Sequence, residues 1–265
     1  MSITQAELKE VKSLATGKGR KATGLFAAEG VRLLEEAVRN RFWPRRVYCA
    51  GSMLSDRGSK LIDYLTGKKI DCRDISARQL RAMATTKTPQ GIVAVFDLPQ
   101  DRLSELYRRK HRRLLWCENV SDPGNLGTLA RSASAFGFDP MIVSGSSADI
   151  YSPRVVRSSA GSVFALAIAR ADNREIIELA GERGIAIVAA GVDSKNFDYS
   201  LKKMFELDKL ILAVGGEADG LSPEIIENAD IRVRIAHSPG VESLNVAVAG
   251  SILMEKLYGC HEVTS

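Results

Sequence analysis

Four cysteines in 265 residues are too scattered to act together, since Cys49, Cys72, Cys117 and Cys260 contain no C-x-x-C pair. That excludes a disulfide framework and a thiolate zinc site. The three histidines, His111, His237 and His261, have no metal-ligand spacing, so no metal is expected. Apolar runs are short. None approaches the roughly 20 residues of a membrane helix, the N-terminus lacks a signal-peptide core, and Glu7 and Glu10 argue against an acid-poor transit peptide. A soluble, cytoplasmic protein is the expectation. Two glycine patterns are missing as well. No G-x-G-x-x-G follows a strand and no G-x-x-x-x-G-K-[ST] occurs, which removes the usual dinucleotide and triphosphate sites. Neither a 20–50-residue repeat nor a low-complexity tract is present.

What is present is enough apolar residue, 45% of the chain, for one large domain or two ordinary ones. The net charge of +5 hides an uneven distribution. Residues 1–113 carry 24 Lys and Arg against 12 Asp and Glu, and residues 114–265 carry 13 against 20. A basic half joined to an acidic one suggests a polyanion-binding module beside a different working part, or a solvated basic surface.

Pattern divides the chain into a small α/β segment over 1–98, a basic linker over 99–113 and a second α/β segment over 114–265. In the first, 28–39 has the periodicity of an amphipathic helix, 46–49 and 91–96 read as strands, and 59–65 and 76–83 as helices, the last opened by Ser76. The linker holds Arg108, Arg109, Lys110, Arg112 and Arg113 in a helix-compatible run. Beyond it, strands at 114–117, 140–143, 164–169, 185–190, 210–214 and 231–235 alternate mostly with helices at 125–136, 153–159, 174–183, 223–228 and 243–257. Such an order implies a parallel sheet with helices on both faces.

Chemistry concentrates in three loops. Asp122-Pro-Gly-Asn125-Leu-Gly127 leads into a helix of small and apolar residues whose one charge is Arg131. Gly215-Gly216-Glu217-Ala-Asp-Gly220-Leu-Ser222 follows an apolar strand, and Ser243-Leu244-Asn245 opens the last helix after Ile235-Ala-His-Ser-Pro-Gly240. Taken singly these are caps and turns: Asn125 and Asn245 as N-caps, 215–220 as a turn. Taken together, D-P-x-N-x-G-x-x-x-R, G-x-E-x-x-G-L and S-L-N-V-x-V-A in this order resemble the SpoU/TrmH family of RNA ribose 2′-O-methyltransferases in the SPOUT superfamily. Gly19-Arg20-Lys21 through Glu29-Gly30, with Thr86-Lys87-Thr-Pro89-Gln90-Gly91, is similar to the substrate-binding domain of that family's ribosomal-RNA members, which resembles ribosomal proteins.

The resemblance implies a trefoil-knotted catalytic domain, a homodimer, and S-adenosylmethionine held by Gly215, Gly216, Ile235 and Leu244, with Asn125, Arg131, Glu217, Ser243 and Asn245 as the catalytic group. Arginine, with a pKa above about 12, is a poor base, so Arg131 is assigned to a phosphate and to the forming alkoxide, Ser243 and Asn245 to the hydroxyl, and Glu217 to fixing Arg131 or Asn125. The family's Ile-Pro-Met is here Ile235-Ala236-His237. For RNA, expected in single-stranded or loop form, the chosen contacts are Arg20, Lys21, Arg32, Arg45, Arg46 and Lys87. Transfer RNA as substrate and a non-catalytic role in ribosome assembly stay open as alternatives.

Overall fold

The computed structural model describes residues 3–99, 103, 113–191, 201–217, 219–238 and 240–262. The chain divides into two compact units, residues 1–99 with 149–165 and residues 100–148 with 166–265. Most of the expected linker lies outside the described residues, as do parts of the segments through which the implied knot would run.

In the first unit β1 (Leu25–Glu29), β2 (Arg46–Cys49), β3 (Asp71–Asp74) and β4 (Ile92–Asp97) form a sheet of order β1-β4-β2-β3. The helix expected from residue 28 begins at Val31, because Leu25–Glu29 pairs antiparallel with β4 and Gly30, at φ 105°, breaks the chain between strand and helix. The helix Ala77–Met83 starts where expected, with Ser76 and Gln79 closing a capping box.

Residues 149–165 belong to this unit for an aromatic reason. Phe26 stacks on Phe96 with centroids 5.2 Å apart, and Tyr151 and Phe164 reach the same cluster at 4.8 Å from Phe26 and 5.1 Å from Phe96. The strand expected over 164–169 is therefore shortened. Phe164 ends a 3₁₀ turn, Ser162–Phe164, and only Ile168–Arg170 pairs. The short helix Pro153–Ser158 likewise packs in the first unit, although its sequence position suggested the second.

The second unit is a six-stranded parallel sheet, β10-β8-β9-β5-β6-β7. Its strands are β5 (Arg113–Glu118), β6 (Met141–Ser144), β7 (Ile168–Arg170), β8 (Ala186–Ala190), β9 (Leu210–Gly215) and β10 (Ile231–Val233). In β5, residues Leu114 to Cys117 are all fully buried, so helices must cover both faces, as a continuous apolar run requires. The one polar group there is satisfied: Trp116 Nε1 donates to buried Ser144 Oγ at 2.8 Å. β5 and β9 are neighbours across the point where the order reverses, since the chain runs outward from β5 through β6 and β7 and returns to β8 on the other side. Ligands bind at the carboxyl ends of strands at such a point.

Candidate active site

A cleft of about 430 Å³ opens at the carboxyl ends of β8, β9 and β10. That size suits a small-molecule ligand. The four residues chosen to hold a cofactor, Gly215, Gly216, Ile235 and Leu244, all line it, as do Glu217, Ser243 and Asn245. Glycine is obligatory at two of these positions. A Cβ on Gly215 would lie 2.1 Å from the carbonyl carbon of Gly220, and one on Gly216 would lie 2.3 Å from the Asn119 carbonyl oxygen. Gly220 N donates to the Gly216 carbonyl at 3.0 Å, which closes the turn.

Packing of two helices brings the other polar groups to the rim. Helix Pro123–Ala135 and the last helix, Val246–Glu262, meet where Gly250 lets Leu129 approach and where the hydroxyls of Ser132 and Ser251 hydrogen-bond at 2.6 Å. Their N-termini then lie side by side. The first is capped by Asp122, whose Oδ1 accepts from Asn125 N at 2.9 Å, so Asn125 is not the cap and its side chain is available for other contacts. Its Nδ2 donates to Glu217, and its Oδ1 accepts from Asn245 Nδ2 at 3.0 Å. Asn245 in turn caps the last helix, its Oδ1 accepting from Ala247 N at 3.0 Å and Val248 N at 3.3 Å. That helix starts at Val246, three residues later than its sequence suggested. Glu217, Asn125 and Asn245, one from each loop cluster, thus form one hydrogen-bonded chain.

Arg131 stands apart. Two turns on from Asn125, it is exposed, does not line the cleft, and has no hydrogen bond or ion pair among the described residues. Glu217 bonds Asn125 and not Arg131.

The six basic residues chosen in the first unit fare unequally. Arg20 is corrected: it is 3% exposed, donates to the Leu14 carbonyl at 2.7 Å and pairs with Asp149, its Nε donating at 2.9 Å, so it is a structural cation. Arg46 is half-buried between Asp71, Glu7 and Tyr48, and exposed Arg45 pairs with Asp97 at 3.2 Å. Lys21, Arg32 and Lys87 are exposed. Register separates the set. Arg45 and Arg46 lie at the Asp97 end of the sheet, whereas Arg32 and Lys87 flank Glu29 and Ile92 at the other. There Glu29 accepts from the amides of Thr85 and Thr86 at 2.9 Å and 3.2 Å and so fixes the start of the loop that carries Lys87. Exposed Arg157 was missed. It shares a small cavity with Glu29 and Thr85, and its helix lies outside residues 1–98, so only the fold could place it.

Residues 112–255 match the SpoU rRNA Methylase family, and residues 5–94 match the MRM3-like substrate binding domain. This chain belongs to the SpoU rRNA methylase family. Among its relatives, the 23S rRNA (guanosine(2553)-2'-O)-methyltransferase RlmP of Bacillus subtilis is 29% identical, covering 97% of this chain and 98% of its own. The 23S rRNA (uridine(2479)-2'-O)-methyltransferase of Streptomyces viridochromogenes is also 29% identical, over 89% and 83%. The solved SpoU methyltransferase AviRb of Streptomyces viridochromogenes, in complex with the cofactor AdoMet, superposes with a TM-score of 0.84 at 26% identity, covering 99% of each chain.

As a SpoU site the cleft fits that cofactor chemically. Val214, Val233 and Leu253 give it an apolar wall of the kind a nucleobase needs, the strand ends offer backbone groups, and Glu217, Asp219 and Glu242 give it carboxylates that complement a sulfonium or ammonium. His237 also lines it and is exposed.

Proposed function

We propose that this protein transfers the methyl group of S-adenosylmethionine to a ribose 2′-hydroxyl of large-subunit ribosomal RNA. One observation carries the reading: the Glu217–Asn125–Asn245 chain stands on the rim of a cleft walled by Gly215, Gly216, Ile235 and Leu244. Family membership supports it, as do the two relatives named for 2′-O-methylation of 23S rRNA and the AdoMet-bound neighbour. When bound, the cofactor would supply an electrophilic methyl on a sulfonium; its transfer to the 2′-oxygen would leave the sulfur–carbon electron pair on sulfur and release the hydroxyl proton to solvent water.

The chain's own residues supply alignment. Asn245 cannot swing, because its Oδ1 is held by two helix amides, so its Nδ2 is fixed in direction and fixes Asn125 in turn. Groups so held keep a reacting hydroxyl in line at low entropic cost, which is worth several kcal/mol of barrier. Ser243, exposed and lining the same cleft, offers a hydroxyl for orienting the ribose. Arg131 binds a phosphate of the same RNA. Its exposure and lack of a partner among the described residues support that role, and its always-protonated guanidinium excludes it as the base.

RNA is bound by the substrate unit through Lys21, Arg32, Lys87 and the added Arg157. A homodimer through the last helix is part of the reading, supported by Val248 and Tyr258, large apolar side chains 48% and 38% exposed there. So is a cytoplasmic location, which the absence of any membrane-spanning helix among the described residues allows.

Tritium transfer from labelled S-adenosylmethionine to protein-free 23S rRNA, total tRNA and assembled ribosomes tests the reading. Alkali-resistant 2′-O-methyl label in 23S rRNA or ribosomes is the expected result. Label in tRNA alone would replace the substrate, and no label together with no cofactor binding would leave a non-catalytic assembly factor.

A further inference from the structure

Sequence pattern assigns Glu118 no role: it is an acidic residue ending an apolar strand. In the structure it is 2% exposed, the last residue of β5, level with Gly215 of β9 and Ser144 of β6. A carboxylate this deeply buried is tolerated only where both oxygens are satisfied. They are. Oε2 accepts from the backbone amide of Ser222 at 2.7 Å, and Oε1 from Asn173 Nδ2 at 2.5 Å. Asn173 Nδ2 also reaches Ser222 Oγ at 3.3 Å, while its own Oδ1 is buried with no hydrogen bond among the described residues.

Ser222 is where the chain returns from the turn that leaves β9 at Gly215. Its carbonyl accepts from the amides of Ile225 and Ile226 of the helix Pro223–Glu227, its side chain makes no cap bond there, and its amide and hydroxyl are held by the Glu118 carboxylate and Asn173. Upstream of that anchor lie Gly216 and Gly220, which wall the cleft, and Glu217, which holds Asn125. We propose that Glu118, held by Asn173, is a positioning residue for methyl transfer: it pins the returning end of this loop through Ser222 N and thereby sets both the cofactor wall and the height of Glu217. The proposal rests on the methyltransferase reading above.

Chemistry makes it testable without deleting volume. Both partners of Glu118 present N–H donors, so Glu118→Gln turns one acceptor into a donor, which Asn173 can meet only by turning its amide and giving up its reach to Ser222 Oγ. Asn173→Asp sets carboxylate against carboxylate. Combining Glu118→Gln with Asn173→Asp restores complementarity. The introduced amide's oxygen accepts from Ser222 N, and its nitrogen donates to the introduced carboxylate, which stands at the first turn of the helix Asn173–Arg183, where the helix dipole favours an acid.

Calorimetric titration of S-adenosylmethionine into the wild-type chain and the variants, with thermal unfolding recorded beside it, is the experiment. Asn173→Asp is expected to weaken cofactor binding about tenfold or more and Glu118→Gln by less, and the double variant to recover to within about threefold of wild type. Asn173→Ala, which leaves Glu118 Oε1 buried without its donor, is expected to cost about tenfold and decides the matter if Asn173→Asp fails to fold. Wild-type affinity in folded Asn173→Asp or Asn173→Ala, or a double variant in which the single losses simply add, would overturn the proposal. A wild-type chain that binds no cofactor would instead sink the methyltransferase reading itself.

Discussion

Asn245 has two roles, and they can be separated. Its Oδ1 caps the last helix while its Nδ2 reaches Asn125. Asn245→Ala loses both and should cost about 1 kcal/mol of stability, as N-cap deletions do. Asn245→Asp keeps the acceptor, adds favourable charge at a helix N-terminus, and cannot donate. Its thermal midpoint should match or exceed that of wild type; a drop equal to that of the alanine variant would show that the cap is not what Oδ1 provides. At this scale the sequence was informative about the loops. Gly215, Gly216, Ile235 and Leu244, each picked out by a motif local to one turn, line a single cleft. Arg20 was misread for the opposite reason: its partner Asp149 is 129 positions away, and burial is not visible in a local pattern.

Between elements, the site depends on one close approach. A Cβ on Gly250 would lie 2.6 Å from Leu129 Cδ2 inside a fully packed contact. Gly250→Ala should therefore force the two helices apart, costing about 1–3 kcal/mol and separating Asn245 from Asn125. Chemical denaturation measures the first effect and methyl-transfer rate the second. An unchanged denaturation midpoint would mean that Leu129 simply rotates away. Element boundaries were legible wherever capping chemistry marked them, as at Ser76. They were lost where tertiary pairing decided, as at Ala28 and Glu29, which extended the helical pattern of 28–39 but pair with β4. Phe164 shows the same override, leaving the expected strand for an aromatic cluster.

For the whole molecule, the division of charge anticipated two units, but only the fold reveals that residues 149–165 return to the first. That first unit carries an ion network with a definite pH signature. The Thr4 amide, followed by the Thr4 hydroxyl, Arg73 and Arg46, holds the Glu7 carboxyl below its usual range against burial, and Arg73 and Arg46 hold Asp71 low in the same way. Since both folded values are depressed, their contribution is complete above the unfolded values of about 4.3 and 3.9 and is lost as pH falls through the lower folded ones. The thermal midpoint should fall steeply below about pH 4, and less steeply in Glu7→Gln/Asp71→Asn; an identical acid slope in that variant would assign the loss elsewhere. The central claim, that a fixed amide chain aligns the acceptor hydroxyl, is tested most directly by single-turnover methyl transfer with Asn245→Asp at saturating S-adenosylmethionine and 23S rRNA. A rate lowered by about 30-fold or more, with cofactor affinity within about threefold of wild type, is expected. A wild-type rate, or a loss that vanishes once cofactor binding is corrected for, would contradict it.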